Sequence, residues 1–164
     1  MTWRIVVMGV AGCGKSTIGA GLAAALGIGF QDGDDLHPAE NVARMAAGLP
    51  LRDQDRWPWL DRVAAVLADK VPVVVACSAL RRAYRDRIRA GAGGPVIFVH
   101  LAGDRALIAA RLAARQGHFM PPALLDSQFA TLEPPGPGEA LVVPIDAPAP
   151  QVIETILHGL RRAA

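Results

Sequence analysis

The sequence predicts an α/β fold: a five-stranded parallel sheet covered by helices on both faces. Three observations predict it. Short apolar runs alternate with longer stretches of helical spacing along the 164 residues, the rhythm of strand–helix–strand units with right-handed crossovers. Three of the runs are near-continuous in valine and isoleucine, as in strands covered on both faces. The first run leads into GVAGCGKST, residues 9–17, a glycine-rich turn set between a strand and a helix.

The elements follow in chain order. WRIVVM predicts a strand over 3–8, and the next segment, 15–26, has helical spacing. IGFQ predicts a second strand over 28–31, followed by a helix over 55–69. VPVVVA predicts a third strand over 71–76 and an arginine-rich helix over 80–90. PVIFVHL predicts a fourth strand over 95–101 with a helix over 105–115, and ALVVPI a fifth over 140–145 with a helix over 148–161. Residues 32–54 and 116–139 fit this rhythm poorly and are expected as Pro- and Gly-punctuated insertions, the second carrying a lid helix that ends near Glu133. In an open α/β sheet, ligands sit outside the carboxyl ends of the strands, where such insertions hang. One domain spanning 1–164, with no linker, is expected.

Hydrophobic residues make up 52% and charged residues 20%, a globular composition. A net charge of +2 is too mild to argue for nucleic acid or a membrane surface as partner. Only Lys15 and Lys70 are lysines; the other basic residues are arginines, whose planar forks suit phosphate and carboxylate. A bias in base composition accounts equally well for most of them. Cys13 and Cys77 lie far apart without metal-like spacing, so a reduced cytoplasmic protein is the expectation. No apolar stretch approaches the length of a membrane span, and the N-terminus lacks the features of a signal peptide.

Gly9, Gly14, Lys15 and Ser16 satisfy G-x-x-x-x-G-K-[ST], the phosphate-binding P-loop. Glycines let successive N–H groups turn inward toward phosphate oxygens, and the helix beginning near Lys15 offers its positive end to the same anion. Gly9, Gly12, Cys13, Gly14, Lys15, Ser16 and Thr17 are the expected nucleotide contacts, with Lys15 at the β/γ-phosphates and Ser16 on Mg²⁺. A guanine-nucleotide switch is disfavoured: the chain has neither N/T-K-x-D nor D-x-x-G.

Beyond the second strand comes DGD, residues 32–34, at the carboxyl edge beside this cradle. Two carboxylates one residue apart can divide the work, Asp32 near Mg²⁺ and Asp34 at an acceptor hydroxyl. A cation and Lys15 would offset their repulsion. Asp35 reads as a solvated turn residue, and His37 as either a turn residue before a helix or a ligand contact.

Four blocks carry a more specific likeness: GVAGCGKST; DGDDLHPAENVARMAAGLPLRDQDRWPWL; ACSALRRAYRDRIR; and RLAARQGHFMPPALLDSQFATLEPP. Together they resemble the gluconokinases, P-loop kinases of the nucleoside-monophosphate-kinase type. The likeness runs to about residue 135. Shikimate kinases share the D-x-D after the second strand but not the longer blocks. The resemblance implies transfer of phosphate from Mg-ATP to the 6-hydroxyl of D-gluconate, with homodimers expected. Arg44 and Arg81 stand where lysine is expected, and Ala11 and Cys13 where serine is common.

On that basis Asp34 is the expected orienter and base. Arg56 is the first candidate for the acceptor's anion, with Arg44, Arg81 and His37 next. Ser78 is expected either at substrate or as a helix cap. Of the arginines over 80–90, Arg81 and Arg85 lie nearest the site. Residues 111–135 form the expected lid, with Arg111 and Arg115 as arginine fingers and His118 and Gln128 reaching substrate. Trp57 and Trp59 are expected in the core. The rivals are a kinase of another hydroxylated acid, such as shikimate, and a nucleotide-binding module without chemistry.

Overall fold

The computed structural model describes residues 2–114 and 122–163. Its strands are β1 (Arg4–Met8), β2 (Gly29–Asp32), β3 (Val73–Ala76), β4 (Ile97–Ala102) and β5 (Leu141–Pro144). They form one parallel sheet in the order β2-β3-β1-β4-β5. The helices are α1 (Lys15–Leu26), α2 (Ala39–Ala46), α3 (Asp53–Asp69), α4 (Arg82–Gly91), α5 (Arg105–Ala114), α6 (Pro122–Thr131) and α7 (Ala149–Ala163), and a 3-10 turn covers Gly33–Leu36.

The valine-rich runs became strands for the reason the pattern suggests. Ile5 and Val7 of β1 face a core that includes Leu22 of α1 and Val152 and Ile156 of α7. Val6 and Met8 face the opposite core, with Leu60, Val63 and Leu67 of α3 and Ile88 of α4. A strand covered on both sides has no polar face, so its alternation vanishes.

Two helix starts moved with their caps, one local and one distant. α3 begins earlier than expected because the Asp55 carboxylate accepts the Arg52 backbone N–H at 2.9 Å. α4 begins later because Glu133, 51 residues away, accepts the Arg82 N–H at 3.0 Å. This removes the cap role considered for Ser78.

Both insertions carry helical structure. The first contains the 3-10 turn and α2, the second α6. α2 starts after Pro38 and carries Glu40 in its first turn and Arg44 in its last, both favourable to the helix dipole. Its Val42 and Met45 are exposed and its one buried residue is the polar Asn41. The expected lid includes residues 115–121, which lie outside the described residues; α5 and α6 flank them.

The strand order brings three carboxyl ends together. Val7 of β1 and Asp32 of β2 both pair with Ala76 of β3. The turns after β1, β2 and β3 therefore emerge side by side, and the Gly9 N–H donates to the Ser78 carbonyl at 3.2 Å. No helix among the described residues is long and apolar enough to cross a membrane.

Candidate active site

The phosphate cradle is built by the turn from β1 into α1. Gly14 precedes α1 at φ 93°, a left-handed conformation that side chains resist. This lets the chain enter α1 with its first N–H groups turned toward the cleft. Lys15 lies back over the loop, its Nζ donating to the Val10 carbonyl at 3.1 Å. Cys13 is buried beneath the loop, and burial pushes its thiol up; any contact it makes with nucleotide is through its backbone. Gly12 abuts Leu112 of α5, which a Cβ at Gly12 would meet at 2.7 Å.

Beside the loop is a cavity of about 330 Å³ bounded by Gly12, Gly14, Thr17, Arg111, Ile145 and Pro148, among others. Arg111 donates to the Ile145 carbonyl, tying α5 to the turn before α7. The turn after β5 is thus part of this pocket, which the local sequence signalled only faintly.

The DGD turn is pinned from two sides. A Cβ on Gly33 would lie 2.3 Å from the Ala76 carbonyl oxygen, so only glycine lets this turn approach β3 so closely. The Gly33 carbonyl in turn accepts the Trp59 indole N–H at 2.8 Å. So held, Asp32 accepts the Ser16 hydroxyl at 2.8 Å through Oδ2 and the Asp34 N–H at 3.0 Å through Oδ1. Asp34 is open to solvent on one side and crowded by protein on the other. That partial desolvation, then the neighbouring Asp32 charge, raise its pKa against the pull of Lys15.

His37 stacks on Trp59, ring centroids 4.2 Å apart. Its Nδ1 accepts from the side-chain amide of Asn41 at 3.2 Å, and the same amide donates to the Asp55 carbonyl at 2.9 Å. Desolvation, helped by the Arg56 charge, lowers the His37 pKa to about 4, so the ring is neutral near pH 7. Arg56 donates through Nη1 to the Tyr84 hydroxyl at 3.0 Å and to Asp53 at 3.3 Å. Arg81 lies 3.9 Å from the other Asp53 oxygen. Arg44 donates to the Pro50 carbonyl at 2.7 Å and stands 3.6 Å from Asp55. Gln128 of α6 accepts the Ala11 N–H at 2.6 Å, which places its amide on the P-loop itself.

One expectation is corrected. Arg85 is not poised for substrate: its side chain is 1% exposed and paired with Glu139 at 2.7 Å. Its remaining donors go to the carbonyls of Ala79 at 2.8 Å and Glu133 at 3.0 Å. Arg115 and His118 lie outside the described residues. Asp53, Tyr84 and Asn41 had no signal in the sequence, since the contacts that tie them together, Asn41 to Asp55, Arg56 to Tyr84 and Tyr84 to Asp53, span 14 to 31 residues. Trp59 was legible as a core residue but not as the hydrogen-bond donor to Gly33.

With this geometry in place, the chain can be set beside known proteins. A family model described as an AAA domain matches residues 5–135. The gluconokinase of Gluconobacter oxydans (strain 621H) is 46% identical over 160 residues, covering 94% of this chain and 89% of that protein. The crystal structure of a gluconokinase from Sinorhizobium meliloti 1021 superposes with a TM-score of 0.93 at 47% identity, covering 99% of this chain and 93% of that one. A shikimate kinase from Bacteroides thetaiotaomicron shares the fold alone, with a TM-score of 0.72 at 16% identity, covering 98% of this chain and 99% of that one. By sequence and by architecture, this chain belongs to the gluconokinase family of P-loop kinases.

Proposed function

We propose that this protein transfers the γ-phosphoryl group of ATP to the 6-hydroxyl of D-gluconate, giving 6-phospho-D-gluconate. The observation that carries the reading is the DGD turn, fixed beside the P-loop by the Ser16–Asp32 hydrogen bond of 2.8 Å. It sets one carboxylate beside the P-loop and leaves a second, Asp34, exposed next to it, which on this reading meets the acceptor.

Phosphoryl transfer asks for positioning and charge neutralisation more than covalent help. The loop N–H groups and Lys15 hold the phosphates, and Arg111 faces the nucleotide cavity from α5. Asp34 orients the acceptor hydroxyl and takes its proton as transfer proceeds; its raised pKa suits a group that must accept a proton. His37, Arg44, Arg56, Arg81 and Gln128 surround the acceptor as neutral, cationic and amide partners, and Ser78 contributes from the turn after β3.

The donor set fits Mg²⁺. Among the described residues no three His, Cys, Asp or Glu side chains gather to hold a metal alone. Ser16 and Asp32 instead offer two hard oxygens, the sparse protein share expected of an ion held mainly by phosphates and water. When bound, Mg²⁺ neutralises charge on the transferring group. Cys13 and Cys77 are buried and unbridged, in keeping with residence in the cytoplasm.

The test is product identification. Protein incubated with ATP, Mg²⁺ and D-gluconate should yield ADP and a phosphomonoester that ³¹P NMR places on the primary carbon. An ester elsewhere would overturn the acceptor geometry, and no ester would overturn the reading.

A further inference from the structure

Arg56, on α3, and Arg81, just before α4, converge on a single carboxylate. Arg56 Nη1 is 3.3 Å from one Asp53 oxygen and Arg81 Nη1 is 3.9 Å from the other. Tyr84 completes the cluster from below. Its ring is buried, with Trp57 edge-on at 5.7 Å. Its hydroxyl donates to Asp53 and accepts from Arg56 at 3.0 Å, so both of its hydrogen-bonding roles are used. Burial, then the bond to Asp53, raise the phenol to about 12, which keeps it a donor near neutrality.

Two guanidinium groups set against one carboxylate leave one positive charge uncompensated. Among the described residues each arginine engages this cluster through Nη1 alone, so further donors of both forks are available to one more anion. Arg56 also lies one turn before Trp59, whose indole holds Gly33. The fork is therefore in fixed register with Asp34.

We propose that Asp53 and Tyr84 are positioning residues that aim Arg56 and Arg81 as a paired fork for the acceptor's carboxylate. One end of the acceptor is held there while the hydroxyl at its other end reaches Asp34. This rests on the functional reading above and adds the basis of its selectivity: an aldose or alditol of the same length leaves the fork unpaired and is rejected.

The test is steady-state kinetics on Tyr84→Phe, which keeps the buried ring, and Asp53→Glu, which keeps the charge but moves it. Each should raise the KM for gluconate about tenfold, roughly one lost charge-assisted hydrogen bond. The KM for ATP, and kcat at saturating gluconate, should stay within about threefold. The preference for gluconate over D-glucitol should fall by the same factor, and the double variant should lose about as much as the worse single one. An unchanged KM for gluconate, or gluconate and ATP constants that rise together, overturns the positioning role. A parent protein that does not phosphorylate gluconate overturns the functional reading and this inference with it.

Discussion

At the scale of single residues, the proposed mechanism puts the chemistry on Asp34. Partial desolvation and the Asp32 charge make it a better proton acceptor than a solvated aspartate, at the cost of activity in acid. Asp34→Asn should lower kcat by about a hundredfold to ten-thousandfold while leaving ATP affinity nearly unchanged. Protonation removes the base, so kcat/KM should fall with decreasing pH through an apparent pKa above the ordinary aspartate value of 3.8. A pH–rate profile measures that position directly. His37 gives a second, independent signature. Its folded pKa of about 4 lies below the unfolded 6.5, so the unfolded chain binds the proton more readily. The stability it confers is complete above pH 6.5 and is lost as pH falls from 6.5 toward 4. His100, also lowered by burial, acts in the same direction. His37→Gln should flatten part of that acid loss in denaturant titrations run at several pH values.

At the scale of elements, two anchors hold the turns of the candidate site. The first is Gly33 between the Ala76 carbonyl and the Trp59 indole. Gly33→Ala would place a methyl group 2.3 Å from that oxygen, and the required shift should cost about 1–3 kcal/mol, read as a lower midpoint in urea. It should also displace both carboxylates and cut turnover. The second anchor is Arg85, which staples the turn at Ala79 to the segment leaving α6 through Glu133 and Glu139. Arg85→Ala should destabilise the fold by about 3–5 kcal/mol, because it takes the closest cation from the Glu139 carboxylate and empties a buried site that also bonds two carbonyls. Burial opposes ionisation of Glu139, yet Arg85, the Gly136 N–H and Arg89 together hold it at about 2. The pair therefore stabilises fully above about pH 4.5 and loses that contribution as pH falls toward 2. A variant that unfolds like the parent would contradict the anchor.

At the scale of the whole molecule, the parallel order β2-β3-β1-β4-β5 explains why residues scattered along the chain meet at one edge. Much of this was legible beforehand. The central strands β1, β3 and β4 announced themselves because both faces are covered, and α1 falls where its spacing placed it because Gly14 and Gly27 bound it locally. The P-loop and the DGD turn were legible for a similar reason: each is a local backbone device with a fixed residue pattern. What stayed hidden depends on partners distant in sequence. Glu133 capping α4, Tyr84 reaching Asp53, and Arg85 turning away from substrate into a buried pair all depend on how α3, α4 and the segment after α6 pack together. Of α2 only the turn before it was legible, at His37 and Pro38, because the helix is short and its Val42 and Met45 face outward.

The central claim is that this edge joins a nucleotide cradle to a site for a hydroxylated sugar acid. The most direct measurement is ADP release from Mg-ATP by the purified protein, compared for D-gluconate, shikimate and no acceptor. Strong stimulation by gluconate, with shikimate near the no-acceptor rate, is the predicted result. Stimulation by shikimate in preference to gluconate, or by neither, would contradict it.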